Sequence, residues 1–499
     1  MKDKYILNKF RKCFGQTLKI YDSSLVSHCG NRFFLAKEGH QKFLYIIGNE
    51  AYGRLEEFRG KPIGSIEIDG YDLIAGKAEL NHINLKLMQE IFPHLNPSLC
   101  GLKPSFGTGD RLGMVTPAHV GSFRGRKIFP YFCQQSVREL NKTGRSWQES
   151  ISDSIWGVFE AGYKNPFGAD ADHVKDMGDL NAAIKNGFTM FTIDPSDFIA
   201  NGLGNEENRE ISKRYDSIVE KKEIERSYLG KKITIGKEVM QFDLDSLKFI
   251  AACYYDAIKH VVKCYKFIEE NKEGNFDFEV SMDETESAIS PLAHIFITGE
   301  LQRNEVNFQN LALRYPGVWE KAVDYCGDIE GFSKELKTHA QVAKKFGPYK
   351  LSLHSGSEKF SVFPIFSEET GGLFHIKTSG TSWLESLRTI AAVNPVLFKD
   401  IYDYALNNYE EEKKSYHIST GLSSVPAITR FSRDEYGGLL DKKECRQMLH
   451  VTYGAILTAT KQENYIFRDT IYKVLDENEP VHYRHITENI DKHLDLVRI

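Results

Sequence analysis

The 499-residue sequence has little that would tie it to a disulfide scaffold or to a structural zinc site. Its eight cysteines are scattered along the chain without a single Cys-x-x-Cys pair. Closely spaced cysteine pairs are the usual sequence sign of a zinc ribbon, and regular spacings are the sign of a disulfide framework. We therefore expect most of these cysteines to be small, buried apolar side chains.

Excess positive charge and long apolar runs are also missing. The formal net charge is -5 and the isoelectric point is about 6.4, so the chain as a whole does not attract nucleic acid or an anionic membrane. No stretch approaches the roughly 18 apolar residues of a membrane-spanning helix, and the N-terminus lacks a signal-peptide pattern. These absences predict a cytoplasmic protein without nucleic-acid or membrane partners.

Proline is scarce as well, with only 15 in the chain, which argues against long disordered linkers. A chain of 499 residues exceeds the roughly 250 to 300 residues that one core supports, so we expect two or three domains. Composition and the pattern of predicted strands and helices indicate a small α+β domain at 1–95, a catalytic domain at 96–390 and a helical region at 391–499. A histidine-rich stretch near the end, VHYRHITENIDKHL, is assigned to an exposed helix surface.

The middle of the chain alternates helical patterns with short, nearly continuous apolar runs such as TMFTID, FDFEVS and KLSL. Runs of this kind are typical of the buried strands of a parallel sheet. Neither GxGxxG nor GxxxxGK[ST] is present to indicate a nucleotide-binding sheet. Six or more such units favour an α/β fold with a (β/α)8 TIM-like barrel, whose chemistry lies at the carboxyl ends of the strands.

Three histidines stand at or near the ends of these predicted elements. His173 follows FGADAD, His354 follows KLSL, and His375 lies within LFHIK. Neutral imidazoles from separate elements commonly hold a divalent ion and leave an open position for substrate. Each histidine alone is explained as well by a place in the core, but the three together predict a metal site.

Carboxylates near the same positions are candidates for acid and base chemistry. Asp172 directly precedes His173, and strand alternation puts Asp277 and Glu279 on one face of FDFEV, where Glu279 points into the barrel. A buried glutamate has a shifted pKa and is suited to proton transfer. The loop that follows offers three competitors for the role, Asp283, Glu284 and Glu286.

Cations and a hydroxyl group near these carboxylates are candidates for holding an anionic substrate. Arg111 lies in the glycine-rich segment FGTGDRLG, Lys377 ends LFHIK, and Ser355 follows His354. Guanidinium and ammonium groups recognise carboxylates. The same cations are also suited to internal salt bridges, and the residues alone leave that choice open.

Six segments together carry a specific resemblance, in order, over about residues 100 to 460. They are SFGTGDRLGMVTPAHV, FGADADHVK, GFTMFTIDPSDFI, FDFEVSMDETES, YKLSLHSGSEKFSV and GGLFHIKTSGTSW. In these segments the sequence resembles the bacterial tagaturonate epimerases of hexuronate catabolism. One departure is Glu358, where the family pattern leads us to expect an aspartate, and it affects none of the expected site residues.

The resemblance implies a metal-dependent isomerase that interconverts D-tagaturonate and D-fructuronate, a small-molecule sugar-acid substrate pair. It implies Asp172 as proton acceptor, Glu279 as proton donor, and His173 and His354 as ligands of a divalent cation. We assign the third ligand to His375 from its strand position, and Zn, Mn, Co, Ni or Fe would all suit such a site. A uronate aldose-ketose isomerase and a non-catalytic sugar-acid-binding protein are the alternatives, and the oligomeric state stays open.

The point at which the two substrates differ constrains the chemistry. The C4 hydrogen is β to the C2 ketone and therefore not acidic, so enolisation does not invert C4. Transient oxidation would need a nicotinamide, whose fingerprint the sequence lacks. We therefore expect retro-aldol cleavage between C3 and C4, rotation of the aldehyde and re-addition, with a metal stabilising the enediolate and a base taking the C4 hydroxyl proton.

Overall fold

The computed structural model describes residues 2–15, 17–49, 51–203 and 208–499. It contains an antiparallel sheet domain at the N-terminus, a closed parallel barrel and a helical C-terminal region. The predicted fold class is confirmed. No helix in the described ranges is long and apolar enough to cross a membrane.

The N-terminal domain is a five-stranded sheet with strand order β1-β2-β3-β5-β4 and every pairing antiparallel. Its elements are α1 (Lys2–Phe14), β1 (Lys19–His28), β2 (Asn31–Glu38), β3 (Gln41–Gly48), α2 (Ala51–Glu57), β4 (Lys61–Ile68), β5 (Tyr71–Glu79) and α3 (His82–Ile91). Asp69 and Gly70 both have positive φ in the two-residue turn between β4 and β5, as a tight hairpin requires. One face of the sheet packs on α1 through Phe34 and Tyr45, and the other joins the main core through Phe33 and Leu44.

Eight parallel strands close the barrel, and the last of them pairs with the first. In chain order the strands are β6 (Ser105–Thr108), β7 (Phe129–Ser136), β8 (Gly168–Val174), β9 (Met190–Ile193), β12 (Asp277–Met282), β13 (Asn310–Leu313), β14 (Lys350–Leu353) and β15 (Phe374–Thr378). Every residue of β6, β9, β12, β13, β14 and β15 is buried. Helices cover the outside of the barrel, which explains the unbroken apolar runs in the sequence.

The connecting helices are α4 (Thr116–Phe123), α5 (Val137–Thr143), α6 (Trp147–Glu160), α7 (Met177–Asn186), α11 (Pro291–Arg303), α12 (Ile329–Phe346), α13 (Phe363–Glu369) and α14 (Thr381–Val393). Helix α6 begins with a capping box between Ser146 and Glu149. Between β9 and β12 lies an excursion of α8 (Asn208–Asp216), α9 (Lys221–Tyr228), β10 (Lys232–Ile235), β11 (Glu238–Gln241) and the 28-residue α10 (Leu244–Asn271).

The C-terminal region lies over the barrel mouth and along its side. It consists of α15 (Pro395–Lys413), α16 (Tyr436–Leu439), α17 (Lys443–Val451), α18 (Tyr453–Thr458), the hairpin β16 (Thr460–Lys461) and β17 (Asn464–Tyr465), α19 (Arg468–Glu477) and α20 (Glu479–Asp495). The prediction that the late histidines are exposed is wrong for two of them. His482 and His493 are buried because α20 packs against α4 and α14, and they bond to Ser386 and to the backbone of Glu358.

Candidate active site

The carboxyl ends of the barrel strands surround a polar cavity of about 280 Å³. This is the end of the barrel at which the sequence placed the chemistry. Six of the predicted site residues line it, namely Arg111, Asp172, His173, His354, Ser355 and Lys377. Glu279 and His375 lie deeper, in the barrel interior.

Lys377 stands at the centre of a buried group of carboxylates. Its Nζ lies 2.7 Å from Asp170 Oδ2, 2.8 Å from Asp172 Oδ1 and 2.8 Å from Glu279 Oε1. The ammonium also donates a hydrogen bond of 2.6 Å to Thr192 Oγ1. Burial alone would lower the pKa of Lys377, but the carboxylates around it raise that pKa above its ordinary value. Lys377 is therefore a fixed positive charge.

The carboxylates of this group differ in acidity. Burial works to raise the pKa of Glu279, but the charges of Lys377 and His354 bring it well below its usual range. The pKa of Asp172 is lowered too, since His173 and Lys377 outweigh its burial. Burial raises the pKa of Asp170 to about 7 despite the contact with Lys377. Asp170 is therefore the carboxyl group of this set whose pKa is raised, whereas those of Asp172 and Glu279 are lowered.

Two histidines at the cavity floor each have a carboxylate on one ring nitrogen. His173 Nδ1 lies 2.8 Å from Asp172 Oδ1, and His354 Nε2 lies 2.5 Å from Glu279 Oε1. The ring centroids are 4.8 Å apart and the ring planes are tilted by 53°. His173 and Ser355 both have positive φ, 52° and 54°, a conformation that non-glycine residues adopt at a cost and that is enriched at functional sites.

His173, His354 and Asp283 form a group with the geometry of a metal site. One ligand atom from each lies within 4.8 Å of the other two, and His354 Nδ1 is 3.2 Å from Asp283 Oδ1. Asp172 and Glu279 hold the other ring nitrogens, which matches the carboxylate–histidine–metal arrangement that orients a ligand imidazole. Two imidazoles and a carboxylate suit a divalent transition metal.

His375 does not join this group, contrary to its assignment as the third ligand. It is fully buried, its Nδ1 lies 3.0 Å from Ser105 Oγ, and its ring packs on Tyr131. His375 and Lys377 share the inward face of β15, but His375 is two residues earlier and so one layer deeper in the barrel. Burial keeps its pKa well below the ordinary value. The structure instead brings Asp283 to the other two residues.

Arg111 already has its charge matched inside the protein. Its Nε donates to Glu139 Oε1 at 2.8 Å, one Nη donates to the backbone oxygen of His450, and the guanidinium lies 3.7 Å from the centroid of the Tyr453 ring. The sequence left two interpretations open for Arg111, a substrate contact and an internal salt bridge. The observed geometry is that of the internal salt bridge. Ser355 faces the cavity and accepts a hydrogen bond from Lys321.

Several cavity residues come from segments to which the sequence gave no role. Arg138 follows β7, Lys321 lies in the long loop after β13, and Tyr416 and His450 belong to the helical C-terminal region. Asp283 had been considered only as a competitor on its loop. No spacing in the sequence connects these positions, because they meet only when the C-terminal region covers the barrel mouth.

Comparison with known proteins points in the same direction as the geometry. The chain matches the tagaturonate epimerase family over residues 21–497. It is 44% identical over 492 residues to a tagaturonate/fructuronate epimerase of Thermotoga maritima, and the match covers 99% of both chains. The fold is similar to the native crystal structure of a fructuronate-tagaturonate epimerase from Cohnella laeviribosi, with a TM-score of 0.91, 35% sequence identity and coverage of 100% of this chain and 99% of that one. A two-glycerol complex of the Cohnella enzyme gives the same TM-score and identity, with 100% of both chains covered.

Proposed function

Since the chain belongs to the tagaturonate epimerase family, we propose that it is an isomerase that interconverts D-tagaturonate and D-fructuronate by inverting C4. The observation that carries the proposal is the convergence of His173, His354 and Asp283 beside the carboxylates bound to Lys377, at the floor of one polar cavity. The 44% sequence identity to a tagaturonate/fructuronate epimerase over 99% of both chains supports the choice of substrate.

We propose that a divalent cation is held by His173, His354 and Asp283. The donor set fits such an ion, and the carboxylates behind both histidines fit the role of orienting groups. When bound, the ion would act as a Lewis acid toward the oxygens of the ketone end of the substrate. Zn, Mn, Co, Ni and Fe all remain compatible with these ligands.

Asp172 and Glu279 are the proposed proton acceptor and proton donor. As the C3–C4 bond breaks, its electron pair stays with the ketone fragment, and the C4 hydroxyl group gives its proton to Asp172 and becomes an aldehyde. The aldehyde group then rotates and presents its other face to C3. C3 re-adds to that face, and Glu279 supplies a proton to the C4 oxygen. Lys377 contacts both carboxylates, so Asp172 and Glu279 belong to one buried polar group, and we propose that the proton taken by Asp172 returns to Glu279 within it.

An assay of the purified protein on D-tagaturonate tests the proposal. We expect D-fructuronate as the product, with turnover lost after chelator treatment and restored by a divalent cation. A product with its carbonyl group moved to C1 would identify an aldose-ketose isomerase instead. Tight uronate binding without turnover, in protein loaded with any of the candidate metals, would favour the binding protein.

We further propose a cytoplasmic location, as expected of an enzyme of hexuronate catabolism. Fractionation of cells that express the protein would test this, and recovery outside the cytoplasmic fraction would contradict it. Size-exclusion chromatography with light scattering would supply the oligomeric state.

A further inference from the structure

The positive charges around the cavity are almost all matched by carboxylates of the protein. Lys377 has its three carboxylates and Arg111 has Glu139. Lys175 Nζ lies 2.8 Å from Asp197 Oδ1 and 3.8 Å from Asp194 Oδ2. These cations stabilise the fold and the catalytic group, and their charges are already neutralised before any anionic substrate arrives.

Lys321 differs from the other cavity cations. Its half-buried side chain lines the cavity and donates from Nζ to Ser355 Oγ. Among the residues that the structure describes, no carboxylate oxygen lies within 4 Å of this ammonium. Withdrawal from water lowers the pKa of Lys321, and Glu284 and Asp283 offset this only in part; a charge removed from water without a close counterion is destabilising. An anion that enters the cavity would relieve that cost.

The loop that carries Lys321 is held in place by the C-terminal region. Gln447 Nε2 donates to the backbone oxygen of Lys321 at 3.4 Å, and Arg446 Nε donates to that of Ala322 at 3.0 Å. Reciprocal backbone hydrogen bonds between Val318 and Cys326 close the loop on itself. Lys321 is therefore held at the cavity wall beside Ser355, as a preorganised recognition group should be.

Arg138 is the other cavity cation whose charge is only weakly paired. Its side chain is 43% exposed, and the carboxylate closest to it, on Glu284, is 3.9 Å away. An ion pair at that distance in an exposed position is weak, so Arg138 is able to turn toward a ligand. Lys321 is nevertheless the cavity cation that has no carboxylate oxygen within 4 Å among the described residues, its nearest acidic influences being Glu284 and Asp283 at longer range.

We propose that Lys321, together with the Ser355 hydroxyl group, is the subsite for the carboxylate group of the uronate, with Arg138 at its outer edge. The identity of the bound molecule rests on the proposed function. Lys321 acts in substrate recognition and touches no reacting atom. It makes the enzyme select a sugar acid over the neutral ketose in which C6 is a hydroxymethyl group.

The test compares Lys321→Met, which has an unbranched side chain of similar length without the charge, with Lys321→Arg, which keeps the charge. Lys443→Met is the matched control, because Lys443 pairs with the neighbouring Glu320 outside the cavity. For each protein, KM and kcat are measured on D-tagaturonate and on the neutral ketose D-tagatose, and the Kd of both is measured by calorimetry.

We expect Lys321→Met to raise KM and Kd for tagaturonate by roughly 10- to 100-fold, the range for a hydrogen bond to a charged group, with kcat and the neutral ketose little affected. Lys321→Arg should recover part of the loss, and Lys443→Met should behave as wild type. An equal loss on both ketoses, or no loss on tagaturonate, would overturn the subsite.

Failure of the proposed function would look different. The wild-type protein would then bind tagaturonate without epimerising it, and the calorimetric comparison would still report on Lys321. Wild-type protein that binds the uronate no more tightly than the neutral ketose would overturn the subsite whatever the turnover.

Discussion

Lys377 Nζ lies 2.8 Å from Glu279 Oε1, a contact that crosses the barrel interior from the end of β15 to β12. Those two strands are separated by β13 and β14 in the barrel. The ion pair therefore fixes two distant parts of the wall with respect to each other. It also links Glu279 to Asp172 through one ammonium group.

Replacement of Lys377 by Met should both destabilise the protein and abolish turnover. Asp170, Asp172 and Glu279 would be left as buried carboxylates without their common cation, and breaking a buried pair in this way costs about 3 to 5 kcal/mol. Urea denaturation measures the loss of stability and the tagaturonate assay measures turnover. Lys377→Arg keeps the charge and should recover stability better than activity, since a planar guanidinium does not reproduce the contacts of an ammonium group. A Lys377→Met protein with wild-type stability would contradict this account.

The metal proposal predicts different outcomes at Asp283 and at His375. His354→Ala and Asp283→Ala should each lose the bound divalent ion and reduce turnover by more than about 100-fold, because even residues behind the ligands are worth 10- to 100-fold in metal affinity. His375→Gln should keep one ion per chain, since His375 contacts Ser105 and Tyr131 in a deeper layer. Elemental analysis after gel filtration gives the metal content. Loss of the ion from His375→Gln with retention in Asp283→Ala would restore His375 as the third ligand.

The barrel and part of its site were predictable because strand patterns carry local information. Continuous apolar runs indicated parallel strands, and period-two alternation put Glu279 inside the barrel. His354 and Lys377 came at the ends of such runs, where the carboxyl ends of parallel strands meet. His354 and Lys377 do line one cavity, and both contact Glu279 in the barrel interior beneath it.

What the sequence did not reveal depends on register and on long-range packing. Alternation puts His375 on the same inward face as Lys377, but its depth in the barrel follows from how the strands are staggered. Asp283 lies on an irregular loop to which no period applies. Lys321 reaches the cavity because α17 holds its loop, and His493 is buried because α20 packs on helices far away in the sequence.

Retro-aldol inversion predicts that C4 keeps its hydrogen. The C4 hydrogen stays on the aldehyde carbon while the C3–C4 bond breaks and re-forms, so no exchange with solvent occurs there. The reaction is run to equilibrium in deuterated water, and C4 of both ketoses is examined by NMR. Deuterium at C4 would show that the inversion passes through loss of that hydrogen, and the retro-aldol route would be wrong. Tagaturonate incubated without enzyme is the control for spontaneous exchange.

The buried pair of Glu358 and Arg446 should make stability depend on pH in the acid range. Arg446 Nη2 lies 2.8 Å from Glu358 Oε1 as an ion pair. The same oxygen accepts hydrogen bonds of 2.8 Å from Thr381 Oγ1 and of 3.2 Å from Asn489 Nδ2. Burial alone would raise the pKa of Glu358, but Arg446 and these hydrogen bonds lower it to about 2. A carboxyl group with a lower pKa in the folded state stabilises the fold above its unfolded pKa, near 4.3, and loses that contribution as pH falls toward 2.

Glu358→Gln should therefore reduce the free energy of unfolding at pH 7 by about 3 kcal/mol, and the difference from wild type should shrink between pH 4.5 and 2. Glu411→Gln, at an exposed pair with Lys414, is the control and should track the wild type at every pH. Urea denaturation at pH 7, 4 and 3 measures the effect, and a difference between Glu358→Gln and wild type that stays constant over this range would show that the ion pair with Arg446 does not carry it.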